Sequence, residues 1–165
     1  MTILFYLLAL IPVFFLLLFL GYGAHWLLHQ SWSGIFYRKH LAHHTIQYPS
    51  SDLLSEEYRS AGQDNSTILF AILFAPIVLF VIALMVFKLI PLMFGVLVLI
   101  LMALVSFFNS TIHDATHLYR SFYDRFGWFK LMRERHYVHH RNVQSNLSIF
   151  IFVWDRVFGT FKEAK

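Results

Sequence analysis

The fold is decided by residues 68–108, which read ILFAILFAPIVLFVIALMVF-K-LIPLMFGVLVLILMALVSFF. Two apolar runs, 68–87 and 89–108, are separated only by the charged residue Lys88. Each run is long enough to cross a hydrocarbon core of about 30 Å as an α-helix. Because the join is so short, the two helices must run antiparallel. The sequence therefore predicts a membrane-embedded helical hairpin.

Another uncharged apolar run, residues 3–20, precedes the hairpin. A cleaved signal peptide is the alternative, but it would need a basic segment and a small-residue cleavage site, and neither is visible. Charged residues make up 13% of the chain, against about 25% in soluble domains. We therefore expect a single all-α integral membrane domain, residues 1–165, with three transmembrane helices: one helix plus the hairpin.

The basic residues indicate how this domain is oriented. All 13 Lys and Arg residues except Lys88 lie in the stretches 21–66 and 109–165, which the positive-inside rule places in the cytoplasm. The expected location is a bacterial inner membrane or the ER membrane. Basic residues that flank apolar spans contact lipid headgroups, so the net charge of +4 does not indicate nucleic acid. We expect an interfacial amphipathic helix within 119–135 and a helical cap formed by 147–161.

The ten histidines fall into four clusters, a pair followed by a triple, twice over. Residues three and four positions apart lie on one face of a helix, so each cluster presents its imidazoles in one direction. The pairs follow the first and third apolar runs directly, which lets all four clusters converge just outside the membrane. The clusters are His25 and His29; His40, His43 and His44; His113 and His117; and His136, His139 and His140.

A metal site explains this clustering better than packing does. Ten imidazoles without partners beside hydrocarbon would be costly, whereas imidazole is the commonest protein ligand for transition metals. The chain has no Cys, so the ligands must be nitrogen or oxygen. One octahedral ion takes six ligands, so all ten histidines together predict two ions. Iron suits such a site, and Zn, Cu and Mn are its competitors.

Two non-oxygenase classes also carry histidines in membranes. A metal transporter places polar ligands near the middle of its spans, and a bis-histidine haem protein needs histidines on facing helices within the membrane. The three apolar runs contain neither His nor acidic residues. This distribution disfavours both classes, and a non-catalytic metal-binding membrane protein remains the alternative to an enzyme.

The four clusters, in this order and beside these spans, resemble the fatty acid hydroxylase/sterol desaturase superfamily of membrane di-iron enzymes. The residues 154–160, WDRVFGT, are similar to that family's recurring ending. The resemblance implies two Fe ions, which zinc can replace in a purified sample, with O2 as cosubstrate. It implies hydroxylation or desaturation of a fatty acyl or sterol-like lipid. Carotenoid hydroxylases carry similar clusters and are the alternative.

This chain departs from the family pattern in two respects. Many relatives have four spans, whereas three are counted here. Several fatty acid hydroxylases also carry a fused haem domain, for which this chain has no room. The resemblance therefore implies a separate electron donor, of ferredoxin or cytochrome type, with its own reductase.

Polar residues beside the clusters are further candidates for the site. Asp114 follows His113 directly and could accept an Nδ1–H from a ligand and orient it. Asn146 lies where the family pattern often has an Asn, and we consider it for contact with metal-bound water. Asp155 and Arg156 are expected to form a structural ion pair under the cap.

Overall fold

In the computed structural model of the protein, residues 3–59 and 66–164 are described, and they form helices joined by loops. No β-strand occurs within these two ranges; one isolated bridge joins Ser55 to Leu118. The all-α expectation is therefore confirmed for the described residues, while residues 60–65 of the predicted stretch 21–66 lie outside them. The helices are α1 (Ile3–Leu28), α2 (Ile35–Ala42), a π-helix (His43–Gln47), α3 (Ser66–Val86), α4 (Leu92–Thr116), α5 (Gly127–Arg141) and α6 (Val153–Val157), with short 3-10 helices at Ser31–Ser33 and Phe122–Arg125.

Two of the described helices, α1 and α4, are long and apolar enough to cross a membrane. A shorter apolar stretch, Phe74–Val86, belongs to α3. Many large apolar side chains of α1 and α4 are exposed, among them Leu4, Leu8 and Phe107. Because soluble monomers rarely expose such large apolar surfaces, α1 and α4 are compatible with membrane insertion.

The hairpin between α3 and α4 forms through a tight turn. Lys88 adopts a positive φ of 56° in this turn, and Pro91 caps α4, which begins at Leu92 rather than at residue 89. A Cβ atom added to Gly95 would overlap the side chain of Met85, so glycine at this position permits the two helices to approach closely. The helices α1, α3 and α4 share a core built on Leu17, Val81, Val98, Met102 and Val105.

The helices α1 and α4 run on past their apolar runs and carry the paired histidines. His25 lies in the last turn of α1, and His113 lies in the last turn of α4. His117 is the C-cap of α4, and His29 directly follows α1. Both pairs are thus fixed at the same end of two packed helices, as the sequence spacing predicted.

The C-terminal part differs in detail from the expectation. The helix expected within 119–135 begins at Gly127 and continues to Arg141, so it includes the last triple of histidines. The segment 147–161 contains only the short helix α6. Trp154 of α6 donates its indole N–H to the Phe15 carbonyl at 3.0 Å, so this segment lies against α1. A second core, including Ile112, Phe129 and Phe152, joins α4, α5 and this segment.

Candidate metal centre

Nine of the ten histidines gather into two adjacent groups, and within each group the ligand nitrogens lie within 4.8 Å of one another. The first, which we call the five-histidine centre, comprises His25, His29, His40, His44 and His139. The second, the four-histidine centre, comprises His43, His117, His136 and His140. Each centre draws on three of the four sequence clusters, so residues far apart in the chain meet here.

The spacing between nitrogens matches the coordination shell of a metal ion. In the five-histidine centre, the Nε2 atom of His40 lies 3.0 Å from those of His25 and His29 and 3.2 Å from that of His44. In the four-histidine centre, His136 Nε2 lies 3.0 Å from His117 Nε2 and 3.1 Å from His140 Nε2. With metal–nitrogen bonds of about 2.1 Å, neighbouring ligands of an octahedral ion are about 3.0 Å apart.

Backbone carbonyls fix the ring orientation of the ligands. The Nδ1 atom of His139 lies 2.8 Å from Ser145 O, that of His140 lies 2.9 Å from Tyr48 O, and that of His117 lies 3.0 Å from Leu53 O. His25 Nδ1 contacts Leu147 O in the same way. A carbonyl can only accept, so each Nδ1 must carry the proton. The Nε2 atom of each neutral ring therefore presents a lone pair to the centre.

Burial keeps these rings neutral. Desolvation lowers the pKa of His29 to about 3 and lowers the pKa of each of His40, His44 and His139 well below the ordinary value of 6.5. The pKa values of the four-histidine centre, His43, His117, His136 and His140, are lowered for the same reason. At neutral pH the imidazoles are thus available as ligands.

Without a cation, this arrangement of lone pairs would be unfavourable. His117 and His140 both present bare Nε2 atoms to His136 Nε2, which can donate at most one proton. His43 Nε2 is buried and has no hydrogen-bond partner among the described residues, while its Nδ1 faces Gln47 Oε1 at 3.4 Å. A buried polar atom left unpaired is costly. A metal ion in each centre would satisfy these nitrogens, so the residues present fit the predicted ions.

The first triple is divided between the two centres at the point where a π-helix begins. His40 and His44 belong to the five-histidine centre, whereas His43 belongs to the four-histidine centre. The helix changes from α to π geometry at His43, which alters the angle between successive side chains. Such π segments are frequent at functional sites, and here the adjacent residues His43 and His44 belong to different centres.

The tenth histidine, His113, lies beside the four-histidine centre, and its role as a metal ligand stays a prediction. Its ring centroid lies 4.9 Å from those of His43 and His136. Its Nδ1 lies 3.2 Å from Asp114 Oδ1, the contact for which Asp114 was considered. The functional role of Asp114 stays a prediction.

Asn146 and Asp155 hold the C-terminal segment together. The Asn146 amide donates to the carbonyls of Arg135 and Lys162 and accepts from Lys162 N–H, so its described partners are backbone groups. The expected pairing of Asp155 with Arg156 is wrong. Asp155 accepts from Leu147 N–H, Ser148 N–H and the Thr160 hydroxyl, whereas Arg156 lies 4.0 Å from Glu163 and stacks on Phe161.

Sequence reasoning missed the groups that orient the ligands. The carbonyls of Tyr48, Leu53, Ser145 and Leu147 leave no mark in the sequence, because every residue has one. Gln47 was detectable in principle, since it lies four residues after His43 in a helical segment. The segment 154–160, which is similar to the family ending, contributes to the site through Asp155. Asp155 accepts a hydrogen bond from Leu147 N–H, and the Leu147 carbonyl contacts His25. The sequence pattern alone did not reveal this role.

Comparisons with known proteins agree with this centre. Neither the curated proteins nor the solved structures gave a match to the chain. The sequence profile of the family described as fatty acid hydroxylase matches residues 10–160, a range that contains all ten histidines and both centres. The chain therefore belongs to the fatty acid hydroxylase family, within the fatty acid hydroxylase/sterol desaturase superfamily.

Proposed function

We propose that this protein is a membrane-bound di-iron oxidoreductase that uses O2 and external electrons to hydroxylate or desaturate a lipid C–H bond. The observation that carries this proposal is the pair of histidine centres beside an apolar cavity of about 820 Å³. The family match supports lipid oxidation as the reaction class. Two iron ions, when bound, would supply the reduction of O2 and the abstraction of the hydrogen.

The cavity has the size and lining expected for a lipid. It lies between α3 and α4, and its wall includes Phe74, Val78, Leu99 and Met102. Its volume falls within the usual range for ligand pockets, roughly 300–1,000 Å³. At one end the cavity reaches His113, next to the four-histidine centre. A fatty acyl chain or a sterol-like ring system held here would have a carbon atom near that centre, and a carotenoid remains the alternative substrate.

The chain's own residues position the ligands and keep water away. Four ligand imidazoles are held by backbone carbonyls through Nδ1, so the ligand field is fixed before substrate arrives. Eight of the nine ligands are buried, and a dry site protects reactive species from side reactions. The cofactor supplies the chemistry, and the protein supplies orientation and exclusion of water.

The stoichiometry of the proposed reaction requires an electron donor. Hydroxylation converts R–H, O2, two electrons and two protons into R–OH and water, and desaturation of the same lipid releases two waters. We propose a separate donor of ferredoxin or cytochrome type with its reductase. We further propose three membrane crossings by α1, α3 and α4, with both centres on the cytoplasmic face.

The decisive experiment is expression of the protein with a redox partner, followed by mass spectrometry of lipid extracts. We expect a lipid that gains one oxygen atom or loses two hydrogen atoms. His139→Ala should abolish this product. Membrane insertion should persist in this variant, because the spanning helices satisfy their own backbone hydrogen-bonding groups. Glu163→Gln, an exposed surface change, is the matched control. Zinc binds such ligands more tightly than Fe(II), so activity regained on iron loading is the relevant measure. A folded His139→Ala protein that has lost the ion of the five-histidine centre and still oxidises lipid would refute the proposal.

A further inference from the structure

An apolar groove, which we call the α5 groove, lies on a different face of α4 from the cavity proposed for the substrate. Phe107 lines that cavity, whereas the next residue, Phe108, lines the groove. The groove has a volume of about 520 Å³ and is bounded by α4, α5 and the C-terminal segment. Its lining residues are Phe108, Ile112, Trp128, Leu131, Met132, Arg135 and Phe150. No histidine is among these described residues, so a molecule bound here touches none of the proposed metal ligands.

The position of the α5 groove fits the boundary of a bilayer. Trp128, Leu131 and Arg135 lie at positions i, i+3 and i+7 of α5, so they share one face of that helix. On α4, Phe108 ends the apolar run 89–108, and α4 is long and apolar enough to cross a membrane. Trp128, Leu131 and Phe108 are all exposed. Tryptophan beside the end of an apolar span is typical of the membrane interface.

Arg135 gives this apolar groove a positive charge. It is the one charged side chain among the described lining residues, and it is only 15% exposed. Its Nε atom is buried and has no hydrogen-bond partner among the described residues. Its Nη2 donates to Glu163 at 3.4 Å, a long contact with an exposed carboxylate, which compensates little of the charge. The rings of Phe152 and Phe161 lie beneath the guanidinium and hold it in place.

We propose that the α5 groove binds an anionic phospholipid of the membrane, with the phosphate against Arg135 and an acyl chain along the apolar walls. A guanidinium presents a planar fork of N–H donors that matches a phosphate group. Arg156 lies over the same Phe161 ring as Arg135, so a second cation is close by. This second charge disfavours the ammonium group that a zwitterionic headgroup would bring. The inference goes beyond the proposed function and does not depend on it.

The test uses the full chain in phosphatidylcholine vesicles that contain a small fraction of brominated lipid. Bromine quenches the fluorescence of a nearby tryptophan, and Trp128 lines the groove. Each protein is compared with its own Trp128→Phe version, so that the difference reports Trp128 alone. Brominated phosphatidylglycerol should quench Trp128 at a several-fold lower mole fraction than brominated phosphatidylcholine. Equal quenching by the two lipids would overturn the proposal.

Substitutions test whether this preference depends on Arg135. Arg135→Gln should abolish it, whereas Arg141→Gln, the same change at an exposed position of α5 outside the groove, should retain it. Leu131 is exposed, so a second pair of variants decides the question even if Arg135→Gln fails to fold. Leu131→Glu brings a carboxylate into the groove and should remove the preference, and Leu131→Gln should keep it. A preference that persists in folded Arg135→Gln or in Leu131→Glu would refute the site.

Inorganic phosphate distinguishes a phospholipid site from a site for free anions. Added phosphate should leave the quenching by brominated phosphatidylglycerol unchanged relative to chloride at the same ionic strength, because a free anion gains nothing from the apolar walls. Loss of quenching with phosphate and not with chloride would make free phosphate the occupant and overturn the proposal. If the wild type fails to oxidise any lipid, the proposed function fails alone, because quenching of Trp128 does not require catalysis.

Discussion

His139 and His140 are consecutive residues of α5, yet they serve different centres: His139 Nε2 lies 3.1 Å from His29 Nε2, and His140 Nε2 lies 3.1 Å from His136 Nε2. Successive residues of an α-helix point about 100° apart, so α5 can reach both centres only if it lies between them. His43 and His44 are divided between the two centres in the same way. Each triple therefore links the two histidine centres mechanically.

The division of consecutive histidines between the two centres predicts how pairs of histidine substitutions change the number of bound ions. His29→Ala/His139→Ala removes two ligands from the same centre, so the variant should retain about one ion per chain. His139→Ala/His140→Ala removes one ligand from each centre and should retain fewer ions than the first variant under the same loading conditions. Metal analysis of purified protein measures the difference, with each single variant as control. Equal ion content in the two double variants would contradict the division of the ligands described here.

Substitution of the buried Asp155 should lower both protein stability and metal affinity, although Asp155 belongs to neither histidine centre. It accepts hydrogen bonds of 2.7 Å from Leu147 N–H, 2.9 Å from Ser148 N–H and 2.8 Å from the Thr160 hydroxyl. Asp155→Asn should lower the free energy of unfolding by about 1.5–3 kcal/mol. Because Leu147 O contacts His25, metal affinity should fall by about 10- to 100-fold. Thermal unfolding in detergent and competitive metal titration test this, and Glu163→Gln should leave both unchanged.

Acidification should destabilise the metal-free protein. Burial lowers the pKa of His29 to about 3, and the pKa values of His40 and His139 lie well below 6.5, whereas histidines of the unfolded chain titrate near 6.5. Below that pH the unfolded chain binds more protons, so stability falls as pH decreases towards the folded-state pKa values. Each such histidine contributes up to about 1.4 kcal/mol per pH unit. Unfolding midpoints of chelator-treated protein between pH 7.5 and 5 should show this decline, and a flat profile would contradict it.

The proposed topology predicts where reporters will lie. Insertions after Ser51 and after Glu163 should both report the cytoplasm. An insertion at Lys88 should report the opposite side, because Lys88 is the single basic residue outside the two stretches that we propose to be cytoplasmic. Paired reporters that are active on opposite sides of the membrane measure this directly. Disagreement between the insertions after Ser51 and Glu163 would show that α3 and α4 do not form a transmembrane hairpin.

The histidine clusters could be predicted from the sequence because they depend on the spacing of nearby residues. Spacings such as that between His136 and His140 fix a helix face, and apolar runs fix where helices begin, so convergence of the clusters was predictable. Contacts between segments distant in the chain were not. His140 finds its acceptor 92 positions away, at Tyr48 O, and no residue type marks that carbonyl. The expected Asp155–Arg156 pair was wrong because a buried carboxylate between free backbone amides is better satisfied by them than by a neighbour that can reach solvent.

The contact between His25 and Leu147 has a consequence for biogenesis. A ribosome releases α1 long before it releases Leu147, and the backbone around Leu147 is held by Asp155 and by the hydrogen bonds between Asn146 and Lys162. His25 therefore lacks this acceptor until residues 147–162 have also been synthesised. We expect metal loading of the five-histidine centre to follow synthesis of this segment, so that metal-starved cells accumulate an apoprotein that becomes competent when the metal returns.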